Sequence, residues 1–321
     1  MDDGTPCAGG TCQSGACELT TSILPCTEQG IRNAVAAGGG PYTFDCDGPQ
    51  TVVTEAPIVI DKDLILDGEG NLTVDGSDGF AVFVSAATTE LRGFVVTGGD
   101  LYGVWAAEGA MTLTDSTVSG SRGTGLWALG ATVTIANSTV SGNANCGIES
   151  AGGAMTIVNS TVSGHANCGI RLQERCGGLG ECSSATLALI SSTVSGHTAG
   201  DFGHQIFVHS SGFQPPNVAA IAHSLVDGAC AGHIISDGYN VESPDSTCSF
   251  DQATDQVDVS ADGLKLGPLR DNGGLTMTHA LLPGSVAIDL IPADACGVDE
   301  DQRGEPRPGG TRCDVGAFEV Q

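Results

Sequence analysis

Aromatic side chains make up only 4% of the 321 residues, and lysine occurs at just two positions, Lys62 and Lys265. With 48 glycines and short runs of Val, Ile and Thr, such a chain reads as many turns between short strands, not as helices. No stretch of 18 apolar residues occurs, so no helix is expected to span a membrane. Cationic residues are scarce: 11 Lys and Arg against 38 Asp and Glu give a net charge of −27. That balance excludes nucleic-acid phosphates as partners and disfavours polyanionic glycans unless Ca²⁺ bridges them. It also serves solubility in a saline or extracellular medium. Phosphate-binding loops, H-E-x-x-H and nucleophile motifs are missing as well.

Cysteine is plentiful, with 13 residues, yet no C-x-x-C pair occurs. The open, even spacing of Cys7, Cys12 and Cys17 does not suit a four-ligand zinc knuckle, so disulfides and an oxidising compartment are expected instead. An odd count leaves one thiol without a partner in this stretch of chain. The opening Met-Asp-Asp-Gly-Thr-Pro-Cys has neither a charged n-region nor an apolar h-region, and reads as lying inside a longer precursor.

The middle of the chain repeats itself. Ser116-Thr117-Val118-Ser119-Gly120 recurs at 138–142, 160–164 and 192–196, so the valines at 118, 140, 162 and 194 step by 22, 22 and 32. The last step is 22 plus a ten-residue insertion running from Gln173 to Cys182. Counting outward by the same steps finds Val96, Val74 and Val226 in the same phase. Each unit holds three short runs of period-two alternation and three turns, as in Gly147–Ser150, Ala154–Val158 and Asn159–Gly164. Twenty-two residues close one triangular coil, whereas a leucine-rich repeat would require a Leu/Asn consensus that is missing. The fold expected is an all-β, single-stack, right-handed parallel β-helix. About eight phases at ~4.8 Å would give a rod of roughly 40 Å. Val82, Val104, Leu126, Ile148 and Ile170 are the expected inward ladder. Asp115, Asn137 and Asn159 form a turn ladder whose side chains are expected to bond along the stack.

Solenoids need caps at their ends. Residues 1–18 form a Cys/Gly-rich segment. Residues 19–50 form an N-terminal cap with a short helix capped by Thr27, its face carrying Ile31 and Val35. The coils then occupy 51–241, with an inserted loop at 173–184, and 242–321 form a C-terminal cap region. The expected disulfides are Cys26–Cys46, Cys176–Cys182, Cys230–Cys248 and Cys296–Cys313. Cys146 and Cys168 stand one coil apart in a repeated Asn-Cys-Gly-Ile. Either a bridge or two buried thiols fits them, since side chains in register point the same way.

The C-terminal run Asp271-Asn272-Gly273-Gly274, Thr278-His279-Ala280-Leu281-Leu282-Pro283-Gly284-Ser285, Asp301-Gln302-Arg303-Gly304 and Cys313-Asp314-Val315-Gly316-Ala317-Phe318-Glu319 carries a resemblance. With the Cys-containing cap helix and the 22-residue coils, it resembles bacterial exported β-helix proteins with a choice-of-anchor Q domain, over residues 20–321. The resemblance implies a pectate-lyase-like fold and a secreted or cell-surface location. It implies no particular chemistry. No sorting tail follows Gln321, so any anchor is expected to have been removed or to lie elsewhere.

The position after the inward ladder should point outward. In register it carries Phe83, Trp105, Trp127, Glu149, Arg171 and Phe207, which includes both tryptophans of the chain. Stacked aromatics beside an acid and a base suit sugar rings, and point to a polysaccharide or a cell-surface or matrix component as partner. A polysaccharide lyase or glycoside hydrolase would use Glu149 and Arg171 as catalytic groups. Asp201 or Glu174 would then be the second acid, and a lyase would also call on Ca²⁺ held by carboxylates. A purely structural spacer would keep the same stripe covered. His165 and His197 fall at equivalent turn positions and read as exposed turn residues sooner than as a metal pair.

Overall fold

The computed structural model describes residues 22–177, 181–197, 204–212 and 216–321, with Asp78 by its backbone alone, and the backbone of three short antiparallel strands, Pro6–Cys7, Gly10–Gln13 and Ala16–Leu19. From Ser22 the chain winds as a right-handed parallel β-helix of about nine turns. Three sheets run its length. The first holds Thr124–Leu129, Cys146–Ala151, Cys168–Gln173 and Ile206–Val208. The second holds Ala110–Thr114, Thr132–Ala136, Gly153–Val158, Ala185–Ile190 and Val218–Ala222. The third holds Thr117–Ser119, Thr139–Ser141, Thr161–Ser163, Thr193–Ser195 and Leu225–Asp227. In the earlier coils two long strands, Leu64–Ser85 and Thr89–Ala106, serve all three sheets.

The repeat fixes the register. Val118, Val140, Val162, Val194 and Val226 pair in series along the third sheet, and all are fully buried. Val104, Leu126, Ile148, Ile170 and Ile206 do the same in the first sheet. Each such burial contributes about 1.5–3 kcal/mol. One expected place in this ladder is corrected. Phe83, not Val82, pairs with Val104, and Val84 pairs with Trp105, because the register shifts near Gly79. Phe83 therefore points inward, fully buried, with its ring edge-on to Phe94 at 6.1 Å. It leaves the outward stripe.

Two corners tie the coils together through side chains. Asp115, Asn137 and Asn159 each take φ of +50°, a left-handed conformation that Asn and Asp tolerate best. Of the expected side-chain ladder, Asn137 bonds to Asp115, but the Asn159 amide turns away to the Glu300 carbonyl at 2.6 Å. The continuous column is made by the following serines. The amides of Ser116, Ser138, Ser160 and Ser192 donate to the Oγ of the serine in the next coil at 3.1–3.2 Å. All these serines are buried.

The second corner overturns the reading of His165 and His197 as exposed turn residues. The Ser121 amide donates to Asn143 Oδ1 at 2.9 Å, the Asn143 amide to His165 Nδ1 at 3.1 Å, and the His165 amide to His197 Nδ1 at 3.1 Å. The two imidazoles stack at 5.0 Å, and His165 is fully buried. Nδ1 of both rings accepts a backbone hydrogen bond, and His165 Nε2 lies 3.1 Å from the Val140 carbonyl. Neither ring is arranged as a metal ligand. Glycine is required beside this column, because a Cβ at Gly147 would stand 2.4 Å from His165 Nε2.

The helix Glu28–Ala37, capped by the Thr27 side chain, seats Ile31 on the first coil, and Cys26–Cys46 joins it there. At the other end Cys230–Cys248 and Phe250 close the core. Glu242 pairs with Val226 and is fully buried. Its carboxylate accepts hydrogen bonds from Thr247 Oγ1 and the Cys248 amide, both at 2.9 Å.

Residues 261–321 then turn back along the outer face of the third sheet, and the C-terminal motif supplies the contacts. Gln302 bonds Thr139 at 2.9 Å and Thr161 at 2.6 Å, His279 bonds Ser163 at 2.8 Å, and the Ala317 amide bonds Thr193 at 3.0 Å. Asp301 pairs with Arg303 at 2.7 Å, Arg307 pairs with Glu319 at 3.3 Å, and Arg303 lies 3.7 Å over the Phe318 ring. Cys296–Cys313 fastens the same segment.

Burial pushes the His165 imidazole down to about 4, although its backbone hydrogen bonds oppose the shift. Between pH 6.5 and 4 the unfolded chain takes up a proton that the folded chain refuses. Stability from this group is therefore complete above pH 6.5 and falls as pH drops through that window, by on the order of 3 kcal/mol. Asn143 fills the equivalent place with an amide that makes the same two contacts. His165→Asn is thus expected to flatten the decline in denaturation midpoint from pH 6.5 to 4, and an unchanged slope would refute the assignment.

Candidate functional site

The outer face of the first sheet carries the expected stripe, less Phe83. Trp105 pairs with Trp127, Trp127 with Glu149, Glu149 with Arg171, and Arg171 with Phe207. Alternation along each strand turns these residues outward while Val104, Leu126, Ile148 and Ile170 go in. Both tryptophans are half-buried by aromatic neighbours from adjacent positions. Tyr102 lies nearly parallel to Trp127, with centroids 5.8 Å apart and planes 21° apart. Phe80 sits 5.6 Å from Trp105 and 5.7 Å from Tyr102. Phe80 and Leu101 remain exposed at the rim.

A cleft of about 280 Å³ opens beside this cluster, lined by Leu101, Tyr102, Thr124, Trp127, Asn145, Glu149 and Arg171, with Gly123. Glu149 is only 6% exposed, so its carboxylate must be satisfied by the protein. Thr124 Oγ1 donates to Glu149 Oε1 at 2.7 Å and Asn145 Nδ2 donates to it at 3.0 Å. Asn167 from the next coil holds Asn145 at 2.9 Å. The other oxygen, Oε2, lies 3.8 Å from the Arg171 guanidinium. Burial, and then the nearby Glu149 carboxylate, raise the Tyr102 phenol above its ordinary value. Beyond Arg171 the next coil brings Phe207, stacked on His204 at 5.5 Å and near His209 at 5.9 Å.

Tyr102, Thr124, Asn145 and Asn167 escaped the reading of the stripe. Tyr102 and Thr124 stand three residues before Trp105 and Trp127, on the same strands. The Asn-Cys-Gly-Ile repeat that leads into Glu149 and Arg171 was the available signal for the two asparagines.

Glu149 and Arg171 stand together at the cleft, and among the described lining residues Glu149 is the one carboxylate. The Arg171 guanidinium faces the Glu149 carboxylate at 3.8 Å. Glu174 instead accepts a hydrogen bond from the Ser211 amide at 2.8 Å, and Asp201 lies outside the described residues. Among the described residues no three His, Cys, Asp or Glu side chains come together as a metal-ligand set. Nor does a described segment fill the cleft, as a covered stripe would require. The arrangement can stack a ring and orient polar groups by hydrogen bonds.

Among the described residues five disulfides are present, and two frame this face. Cys176–Cys182 closes the inserted hairpin, whose Arg175 donates to the Leu129 carbonyl at 3.3 Å at the sheet's edge. Cys146–Cys168 joins neighbouring coils, with Cα atoms 4.4 Å apart, three residues before Glu149 and Arg171.

A stack of parallel coils with an aromatic cleft on one outer strand face defines a right-handed parallel β-helix protein. The right-handed β-helix region family matches residues 79–247, just over half of the chain, and the chain belongs to that family. Its fold is similar to the crystal structure of pectate lyase Pel9A, with a TM-score of 0.59 over 95% of this chain and 97% of that one. At 14% identity the likeness is one of fold. No curated protein matches the chain in sequence.

The Cys146–Cys168 bridge is expected to fix the coils that carry Glu149 and Arg171. Replacing both cysteines by Ala opens a 22-residue loop in the unfolded chain and should lower stability by about 3 kcal/mol in denaturant titration. A loss below about 1 kcal/mol would show that strand pairing alone sets this register.

Proposed function

We propose that the chain is a secreted or surface-exposed glycan-binding protein that lays carbohydrate along the outer face of the first sheet. One observation carries this reading: both tryptophans of the chain stand in consecutive coils, and Trp127 lines a cleft together with Glu149 and Arg171. Apolar sugar faces stack on such rings while hydroxyls bond to the acid, the base and Asn145. Phe207 extends the stripe by one further coil. The disulfides support an oxidising, extracellular setting.

The protein of similar fold is a pectate lyase, which favours a polysaccharide as the ligand class here too. A net charge of −27 disfavours pectate itself and favours a neutral glycan, with Ca²⁺ the means by which an acidic one would bind. The C-terminal motif fits an exported bacterial protein of the choice-of-anchor Q type, which would place glycan binding in adhesion or matrix attachment.

Changing Trp105 and Trp127 together to Ala should abolish retention on glycan while the rod stays folded. Each stacking contact is worth about 0.5–1.5 kcal/mol, or roughly three- to tenfold in affinity. Retention is read by affinity electrophoresis over neutral and acidic polysaccharides, with Ca²⁺ and with chelator. No retardation of the unmodified protein by any of them would sink the reading.

A further inference from the structure

The first sheet carries the aromatic cleft and the third carries the returning C-terminal segment, which leaves the outer face of the second. Its strands Ala110–Thr114, Thr132–Ala136 and Val218–Ala222, with 154–158 and 186–190 between them, pair residue for residue without a shift. The second and fourth residues of each, such as Val133 and Ile135, are buried in the core, so the first, third and fifth point outward. Those fifteen outward positions hold only Thr, Ala, Val and Ile, and none of them is buried. Charged residues make up 15% of the chain, yet this face has none. Charge returns at its two borders, with the Glu90–Arg92 pair in the coil before and Asp237 in the strand after.

Six of the fifteen are threonines. Thr112, Thr134 and Thr156 form one column through consecutive coils, Thr114 and Thr132 flank it on either side, and Thr186 lies one coil further. In the third sheet the Thr139, Thr161 and Thr193 hydroxyls bond to the returning segment. Among the described residues the six hydroxyls of the second sheet bond to no other group of the chain, so they meet solvent. Branched side chains are stiff at their first torsion, so pairing in register holds these hydroxyl and methyl groups on a lattice. Its repeat is ~4.8 Å from coil to coil and ~6.6 Å between outward residues of one strand.

Area and chemistry select what fits. Five coils at ~4.8 Å by five residues at ~3.3 Å make roughly 400 Å². A stable protein interface needs about 800 Å² on each side, so this face is too small to hold a second copy of the chain. No ring stands here for a sugar to stack on, and no cation for a phosphate. The chemistry left is that of a neutral partner, itself periodic, which meets hydroxyls and methyls together. We infer that this face binds ice. Rows of oxygens on the prism face of ice repeat in two perpendicular directions at spacings close to those of the sheet. The threonine hydroxyls take lattice positions of water, and the Thr, Ala and Val methyls hold ordered water in the gaps between them. Side chains fixed before binding lose little entropy against a solid, so a small rigid face suffices. The face lies apart from the glycan cleft, and its assignment is independent of the glycan reading.

Slow freezing onto a cold probe separates protein taken into the ice from protein left in the liquid. The unmodified chain is expected to enrich in the ice, while an acidic globular protein of comparable net charge is driven into the liquid. Thr156→Tyr, at the centre of the face, should lower the ice-bound fraction about tenfold by lifting the surface off the crystal. Thr132→Lys, at an exposed position one coil away, should do the same, so the result does not hang on one variant. Both replace outward side chains, and the denaturation midpoint and glycan retention should hold. Exclusion of the unmodified chain from ice overturns the inference. Ice uptake that survives both substitutions in folded protein overturns the assignment to this face. A concentration-dependent dimer in sedimentation, dissolved by Thr156→Tyr, gives the face to a second copy and overturns it as well.

Discussion

Everything in this molecule depends on coils stacking in register. Parallel pairing at ~4.8 Å brings residues 22 apart in sequence into contact, so whatever the sequence repeats becomes a column. A repeated valine becomes a strip of core. A repeated serine becomes a hydrogen-bonded column inside a corner, and a repeated tryptophan becomes a pair of half-buried rings on the outer face. The same rule brings Cys146 beside Cys168 and Glu149 beside Arg171.

That constraint also explains what could be read from the sequence. The steps of 22, 22 and 32 between valines set the coil, and the outward neighbours of the core ladder then followed in order from Trp105 to Phe207. Reading failed where the period failed. Near Gly79 the chain slips relative to the next coil, and with a side-chain period of two a slip of one residue sends Phe83 inward and Val84 outward. The corner histidines were misread for another reason. A turn usually meets solvent, but here the Asn143, His165 and His197 side chains fold back under the turn and accept backbone hydrogen bonds from the preceding coil. Two histidines at a position filled by Ser121 and Asn143 in the preceding coils did not announce that role.

The candidate site was half legible. The stripe came from periodicity, but the groups that make it a cleft, Tyr102, Thr124 and Asn145, lie off the ladder and reach it by side-chain direction. The C-terminal motif was legible as a resemblance and illegible as physics. Its Gln302, Arg303, Arg307 and Glu319 form polar and ionic contacts among themselves and with threonines more than a hundred residues away, which no local pattern encodes. The acidic and basic residues there serve architecture, while those at Glu149 and Arg171 face a cavity.

The segment that returns along the third sheet changes how the solenoid comes apart. A bare stack of repeats touches only its neighbours, so it can fray coil by coil from either end. Here Gln302 spans the coils of Thr139 and Thr161, and Ala317 reaches the coil of Thr193, so separating any of these coils breaks contacts with the returning chain. Such ties lengthen the mean sequence separation of contacts and slow their formation, because they close loops of well over a hundred residues. A chain emerging from its amino end can therefore assemble its coils early, yet it becomes one cooperative unit only after its final sixty or so residues have laid down along the side.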